Sequence, residues 1–251
     1  MEITLVRHAT LLVRFQGRRL LVDPMLSEVG AMPPVPNAPN PKPIPLVPLP
    51  RPAAEVLAGV EAVVVTHTHR DHFDDAAASL VPKALPVFCQ PEDEAKLRAL
   101  GFTGVRPVAA TVRWEGIEIS RTGGRHGTGE IGKRMAPVSG FVLRAADERT
   151  LYIAGDTIWC PEVDDALRSH APQVTIANAG AAQFLEGDPI TMTAQDVVEV
   201  ARTAPGTAVV AVHMETVNHC GLTRSMLAAG VGEAGLTSQV WIPRDGESRR
   251  Y

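Results

Sequence analysis

The feature that most constrains this chain is the stretch VVVTHTHRDHF at residues 63–73, where three histidines and one aspartate directly follow a valine run. The continuous apolar run predicts a buried strand. His67 and His69 are two residues apart, so in extended chain they point to the same side. Asp71 and His72 follow where the chain should turn into a helix. Imidazole nitrogens and carboxylate oxygens are ligands that zinc, iron and manganese accept, so the cluster predicts a metal site. A histidine-rich surface loop is the weaker alternative.

Three further residues of ligand type follow apolar strands elsewhere in the chain. His126 comes after ISRTGGR, Asp156 ends LYIAG and His213 ends AVVAV. Open α/β sheets place their sites at such strand ends. Taken alone, each has an ordinary structural explanation, since lone histidines are commonly structural or exposed and an aspartate after a strand commonly caps a helix. Together with the cluster they supply five histidines and two aspartates at strand ends.

The order of elements predicts an α/β protein. Strand pairs open each half of the chain, and strands alternate with helices elsewhere, which favours sheets with helices packed outside. We expect residues 1–251 to form a single domain, because 45% apolar residues can bury a sizeable core. Residues 32–52 contain ten prolines among 21 residues, so neither helix nor ladder strand is expected there. We predict a stiff surface loop packed on the body, with a flexible linker as the alternative.

Charge and composition exclude several classes of partner. A net charge of −4 argues against binding nucleic acid through a broad basic surface. No run approaches the roughly 18–20 apolar residues of a spanning helix. The N-terminal segment does not read as a secretory signal, because charged residues interrupt each apolar run. Three widely spaced cysteines do not form a disulfide framework, so we expect a cytoplasmic protein.

The motifs HTHRDH at 67–72, His126, GDT at 155–157 and His213 resemble those of the metallo-β-lactamase superfamily, in the same chain order. The resemblance implies an αββα four-layer sandwich that holds two metal ions between its sheets. It implies that a first metal is bound by His67, His69 and His126. It implies that a second metal is bound by Asp71, His72 and His213, and that Asp156 bridges the two.

Within the superfamily, the opening VRHATLLVRFQGRRLLVDPML is most similar to the group that includes ascorbate-6-phosphate lactonase. Arg7 stands where that group usually has glycine before His8. A phospholipase-D-like branch that acts on N-acyl ethanolamine phospholipids shares several of these features.

The leading functional hypothesis is a hydrolase in which a metal-bridging hydroxide cleaves a small ester, lactone or phosphodiester. Asp71, His8 and His219 are the candidate catalytic side chains. We expect two divalent metal ions, zinc first, with manganese or iron as alternatives. The expected partner is a small-molecule substrate, neutral or anionic, with neither nucleic acid nor a membrane, and the oligomeric state is left open.

Two alternatives remain at this point. The first is phospholipid hydrolysis at a membrane surface, which needs an exposed apolar patch that Ile44, Leu46, Val47 and Leu49 could supply. The second is a non-catalytic metal-binding protein.

Overall fold

Two seven-stranded sheets build the structure, a computed structural model that describes residues 1–251. The strands of the first sheet are β1 (Glu2–Arg7), β2 (Thr10–Phe15), β3 (Arg18–Val22), β4 (Ala62–Val65), β5 (Val87–Cys89), β6 (Val105–Pro107) and β14 (Ser248–Arg250). They lie in the order β14-β1-β2-β3-β4-β5-β6. The pairs from β14 to β3 are antiparallel, and those from β3 to β6 are parallel.

The second sheet repeats this plan. Its strands are β7 (Thr111–Trp114), β8 (Ile117–Thr122), β9 (Gly140–Arg144), β10 (Leu151–Ile153), β11 (Val174–Asn178), β12 (Ala208–Val212) and β13 (Val240–Trp241). They lie in the order β13-β12-β11-β10-β9-β8-β7. The strands from β7 to β10 pair antiparallel and those from β10 to β13 pair parallel. Each sheet thus combines hairpins with parallel strands joined by crossovers.

Seven helices flank the sheets. They are α1 (Ala53–Leu57), α2 (Asp75–Leu80), α3 (Glu94–Ala99), α4 (Gly129–Met135), α5 (Pro161–His170), α6 (Ala194–Thr203) and α7 (Arg224–Glu233), and a 3₁₀ turn at Pro91–Asp93 precedes α3. Side-chain hydrogen bonds cap the N-termini of two helices. The Asp74 carboxylate accepts from the Ala77 amide at the start of α2, and Thr193 and Asp196 form a capping box at the start of α6. None of these helices has the length and apolar character needed to cross a bilayer.

Three apolar layers hold these elements together. The central layer mixes residues of both sheets, such as Phe15 and Phe141, and therefore lies between them. A second layer joins the first sheet to α1, α2 and α3, and a third joins the other sheet to α5, α6 and α7. The order helix, sheet, sheet, helix confirms the predicted α/β four-layer sandwich.

Three local features are not evident from the sequence alone. The segment ITLVRHATLLVRF forms two strands, because the chain reverses at His8 and Ala9 between β1 and β2. His8 adopts a φ of 61° at this reversal without the glycine or asparagine that normally indicates one. Helix α4, which contains Gly129 and Gly132, was missed because glycine is a weak helix former. The short strands β13 and β14 were also missed, and β14 completes the first sheet by pairing with β1.

The proline-rich segment at residues 32–52 carries no helix or ladder strand, only an isolated bridge between Met32 and Ile44. Ile44 is buried against Met25 and Val217. The buried Arg7 guanidinium donates hydrogen bonds to the carbonyl oxygens of Met25, Ser27 and Val47. These contacts hold Ile44 and Val47, in the second half of the segment, against the body of the protein.

The shared central layer predicts that both sheets unfold together. Phe141→Ala removes a fully buried ring from that layer and should lower the free energy of unfolding by about 3–5 kcal/mol. Leu80→Ala, at a half-exposed position on α2, is the control and should change it by less than about 0.5 kcal/mol. Denaturant unfolding of both variants should show a single transition. Two separate transitions, only one of them shifted by Phe141→Ala, would contradict the single-domain prediction.

Candidate metal centre

The seven predicted ligand residues lie at one edge of the two sheets, beyond the carboxyl ends of four strands. His67 and His69 follow β4, and a turn in which the His69 carbonyl accepts from the His72 amide carries the chain toward α2. His126 follows β8, Asp156 follows β10 and His213 follows β12. The short spacing of residues 67–72 along the chain brings the first four ligand residues together. The pairing of the strands then brings His126, Asp156 and His213 to them.

Asp156 lies at the centre of the cluster. Its Oδ2 atom is 3.2 Å from His72 Nε2, 3.4 Å from His126 Nε2 and 4.0 Å from His67 Nε2. Its Oδ1 atom is 3.2 Å from His213 Nε2. One carboxylate therefore faces four imidazoles, which is the position that a bridging ligand would occupy.

Asp71 contacts the other side of the cluster. Its Oδ2 atom is 3.5 Å from His213 Nε2, 3.8 Å from His72 Nε2 and 3.2 Å from His8 Nε2. The Asp71 side chain keeps 13% of its surface exposed, whereas that of Asp156 keeps only 2%. Asp71 therefore lies nearer to the solvent than the central carboxylate.

The ligand atoms form three groups in which all atoms lie within 4.8 Å of one another. The groups are His67, His69 and His126; His8, Asp71, His72 and His213; and His67, His72 and Asp156. The structure thus brings together all seven predicted ligand residues, and it adds His8 to the second group. The chemistry of these atoms, imidazole nitrogen and carboxylate oxygen, fits a divalent metal ion.

Hydrogen bonds at the back of the histidines orient their Nε2 atoms toward this centre. Asp23 accepts from the Thr66 amide and hydroxyl at 2.7 Å each and from His72 Nδ1 at 2.9 Å. Because the Thr66 hydroxyl donates to Asp23, it is left to accept from His67 Nδ1 at 3.1 Å. His126 Nδ1 donates to the carbonyl oxygen of Ile190 at 2.7 Å. In each case the outer partner holds Nδ1 protonated, which leaves Nε2 free to bind a metal.

The electrostatics of the cluster also favour a bound cation. Burial lowers the pKa of His126 to about 4 and brings the pKa of His67 well below its usual value, so both rings are neutral. Burial disfavours the charged form of His72 too, but neighbouring carboxylates outweigh it and raise its pKa to about 10. Burial opposes ionisation of Asp156, yet the imidazoles of His213 and His72 hold its pKa well below the usual range. A divalent cation can replace the protons that balance these carboxylates.

One buried atom supports the same conclusion independently. His67 Nε2 is buried and has no hydrogen-bond partner within the protein. An unpartnered buried polar atom is costly unless another ligand satisfies it. Its neighbours at this position are the ligand atoms of His69, His126, His72 and Asp156.

The two other candidate catalytic histidines lie beside the cluster. His8 Nε2 contacts Asp71, its ring lies 3.7 Å from that of His213, and its carbonyl accepts from the His213 amide at 2.9 Å. His219 is buried, its Nδ1 atom has no hydrogen-bond partner, and its ring stacks on Phe184 at 6.0 Å between centroids.

Sequence reasoning missed several residues that position the cluster. Asn178 Nδ2 donates to Asp156 Oδ1 at 2.7 Å, and Asn178 is the last residue of β11, so its strand-end position is a usable signal. The roles of Thr66 and of the Ile190 carbonyl arise from tertiary contacts that the sequence does not reveal. Cys220 is half-buried, and its Sγ atom lies 3.6 Å from His213 Nδ1.

Most of the cations near the motifs are already paired with carboxylates. Arg70 pairs with Asp75, Arg125 with Glu162, Lys133 with Glu130, and Arg224 with Glu215 and Asp245. Arg134 forms no salt bridge and is exposed. The structure therefore offers few free cations for an anionic substrate.

Comparisons with known proteins agree with this geometry. A family profile described as the Beta-lactamase superfamily domain matches residues 18–214. The UPF0173 protein YddR of Bacillus subtilis is 39% identical over 254 residues, which cover 100% of both chains.

Two solved structures are similar over almost the whole chain. One is an isothiocyanate hydrolase from Delia radicum gut bacteria, with a TM-score of 0.95 and 36% identity over 100% of this chain and 99% of that one. The other is a possible metal-dependent hydrolase from Veillonella parvula, with a TM-score of 0.96 and 35% identity over 99% of this chain and 98% of that one.

The Asp23 network generates a prediction about metal affinity. Asp23→Asn places an amide donor where a carboxylate accepts from His72 Nδ1, which favours the tautomer that protonates Nε2. We expect the affinity for Zn²⁺ to fall about 10–100-fold in a competition titration with a chelator. Asp165→Asn, at an exposed position on α5, is the matched control and should leave it unchanged. Equal affinities for both variants and the unsubstituted protein would show that Asp23 does not orient His72.

Proposed function

The chain belongs to the metallo-β-lactamase superfamily, in its UPF0173 branch, and from that premise we propose that it is a metal-dependent hydrolase of a small electrophilic substrate. The observation that carries this proposal is the convergence of the ligand atoms around Asp156, with outer hydrogen bonds that leave the Nε2 atoms free. We propose two divalent ions, zinc first, with manganese or iron as alternatives.

The proposed division of ligands follows the observed groups. His67, His69 and His126 would hold one ion, and Asp71, His72 and His213 the other, with Asp156 between them. When bound, such a pair lowers the pKa of a water molecule and polarises the group under attack.

The remaining roles belong to side chains around this set. Asp71, the more exposed carboxylate, is placed to orient the attacking water as well as to bind metal. His8 would act through Asp71 by donating its Nε2 proton to that carboxylate at 3.2 Å. His219, with an unpartnered Nδ1 atom, is proposed to contact the substrate and to donate to the leaving group.

An isothiocyanate is the substrate class that we favour, because the isothiocyanate hydrolase is 36% identical over the full chain. In the balanced reaction, water adds to the central carbon, the carbon–nitrogen bond breaks and two protons pass to nitrogen. The products are an amine and carbonyl sulfide. A small ester, lactone or phosphodiester has a similar electrophilic centre and is the alternative substrate. The similarity of this chain to the group that includes ascorbate-6-phosphate lactonase stays a prediction.

Residues 44–49 do not favour the phospholipid alternative. Ile44 is buried, and Leu46 and Leu49 pack against apolar layers of the protein. They therefore do not form the exposed apolar patch that binding to a membrane surface requires.

Activity should depend on the metal and on the proposed ligands. The zinc-loaded protein should release 2-phenylethylamine from 2-phenylethyl isothiocyanate, lose this activity on treatment with a chelator and regain it when Zn²⁺ is restored. His126→Ala should lower kcat/KM by at least about 100-fold through loss of a ligand. His170→Ala, at the end of α5, is the control and should retain activity.

A panel with bis(p-nitrophenyl) phosphate, p-nitrophenyl acetate and simple lactones separates the alternatives. Turnover of a panel member but not of the isothiocyanate would replace the favoured substrate class. Two equivalents of bound metal without turnover of any compound would support the non-catalytic metal-binding protein instead.

A further inference from the structure

A cavity of about 700 Å³ has Phe184 in its wall, and the Phe184 ring stacks on that of His219. Its apolar lining comes from three separate segments: Pro36 of the proline-rich segment, Ile131 and Met135 of α4, and the loop residues Phe184 and Leu185. This volume falls within the range of about 300–1,000 Å³ that is typical of pockets for small molecules. None of the proposed metal ligands lines the cavity, so it is a region distinct from the centre itself.

The loop that forms one wall connects the cavity to the metal centre at both ends. At one end, Ala182 pairs with Cys220, whose Sγ atom contacts His213 Nδ1 at 3.6 Å. At the other end, the Ile190 carbonyl accepts from His126 Nδ1 at 2.7 Å. The cavity residues Phe184 and Leu185 lie between these two anchors, so the wall is fixed relative to two proposed ligands.

Phe184 also links the cavity to His219. The two rings stack with centroids 6.0 Å apart and an angle of 27° between their planes. The Gln183 amide donates to the His219 carbonyl at 2.9 Å, which holds the two segments together. A substrate whose reacting group lies at the metals and beside His219 therefore has this cavity within reach of its other end.

The remaining walls are held in place by close packing. The Leu185 amide donates to the Asn37 carbonyl at 2.7 Å, which joins the loop to the proline-rich segment. Gly187 lies against Ile131, where an added Cβ would collide with the Ile131 side chain. Arg134 and Glu186, one cation and one anion, are the only charged lining residues. The lining thus carries no net charge, which suits a neutral apolar group.

We propose that this cavity binds the apolar aryl or alkyl group of the substrate and thereby selects isothiocyanates with a large apolar substituent. The proposal rests on the proposed function for the reacting group. It adds the class of substituent, and it names Leu185 and Phe184 as residues that determine specificity.

Leu185→Asp tests the proposal, because it places a carboxylate in the apolar wall of the cavity. The Leu185 side chain is 67% exposed, so its replacement should not disturb the core. We expect kcat/KM for 2-phenylethyl isothiocyanate to fall by about tenfold or more, as for loss of apolar contact in a substrate pocket. For methyl isothiocyanate, which does not reach the cavity, the change should stay within about twofold. Leu80→Asp, at a half-exposed position on α2, should affect neither substrate. Equal losses for both substrates, or no loss for either, would overturn the proposal.

A binding measurement separates this proposal from the proposed function. The unreactive probe 2-phenylethanol is titrated into the zinc-loaded protein and its binding is followed by ligand-observed NMR. If neither isothiocyanate is hydrolysed but Leu185→Asp weakens binding of the probe by about tenfold, the cavity is an apolar binding site and the proposed hydrolysis of isothiocyanates is wrong. If the probe fails to bind, or binds equally well to both proteins, the cavity assignment is wrong whatever the protein hydrolyses.

Discussion

The structure depends on the burial of a cluster of histidine and aspartate side chains around Asp156. Asp156 faces four imidazole Nε2 atoms at 3.2–4.0 Å, and it is almost fully buried. Such a cluster is expensive to bury unless hydrogen bonds and opposite charges compensate. Asp23 contributes much of this compensation, because its single carboxylate positions His72 directly and His67 through Thr66. The sandwich fold and its loops supply the strand ends from which these groups converge.

The duplicated plan of the two sheets explains why the ligands converge at one edge. In each sheet, antiparallel hairpins lead into parallel strands, and ligand residues follow β4 in the first sheet and β8, β10 and β12 in the second. The loop from Ala182 to Ile190 is joined at its ends to Cys220 and His126, and together with the proline-rich segment it borders the cavity. Fold, metal site and pocket are therefore consequences of one arrangement of strand ends.

Much of this arrangement could be predicted from the sequence, because the signals are local. The alternation of His67 and His69 after a valine run, and the single polar residues after other apolar strands, identified the cluster and the α/β class. Features set by tertiary contact are not evident from the sequence, such as the reversal at His8 that pairs β1 with β2 and the hydrogen bond from the Asn178 amide to Asp156. Helix α4 was missed because Gly129 and Gly132 weaken its local signal, although its Ile131 and Met135 line the cavity.

We propose that these side chains hold two metal ions around Asp156. Anomalous diffraction at the zinc absorption edge, from crystals of the zinc-loaded protein, tests it most directly. We expect two peaks that flank the Asp156 carboxylate. One should lie about 2.0–2.1 Å from the Nε2 atoms of His67 and His126, and the other at the same distance from those of His72 and His213. Peaks only at other positions, or no peak within this cluster, would contradict it.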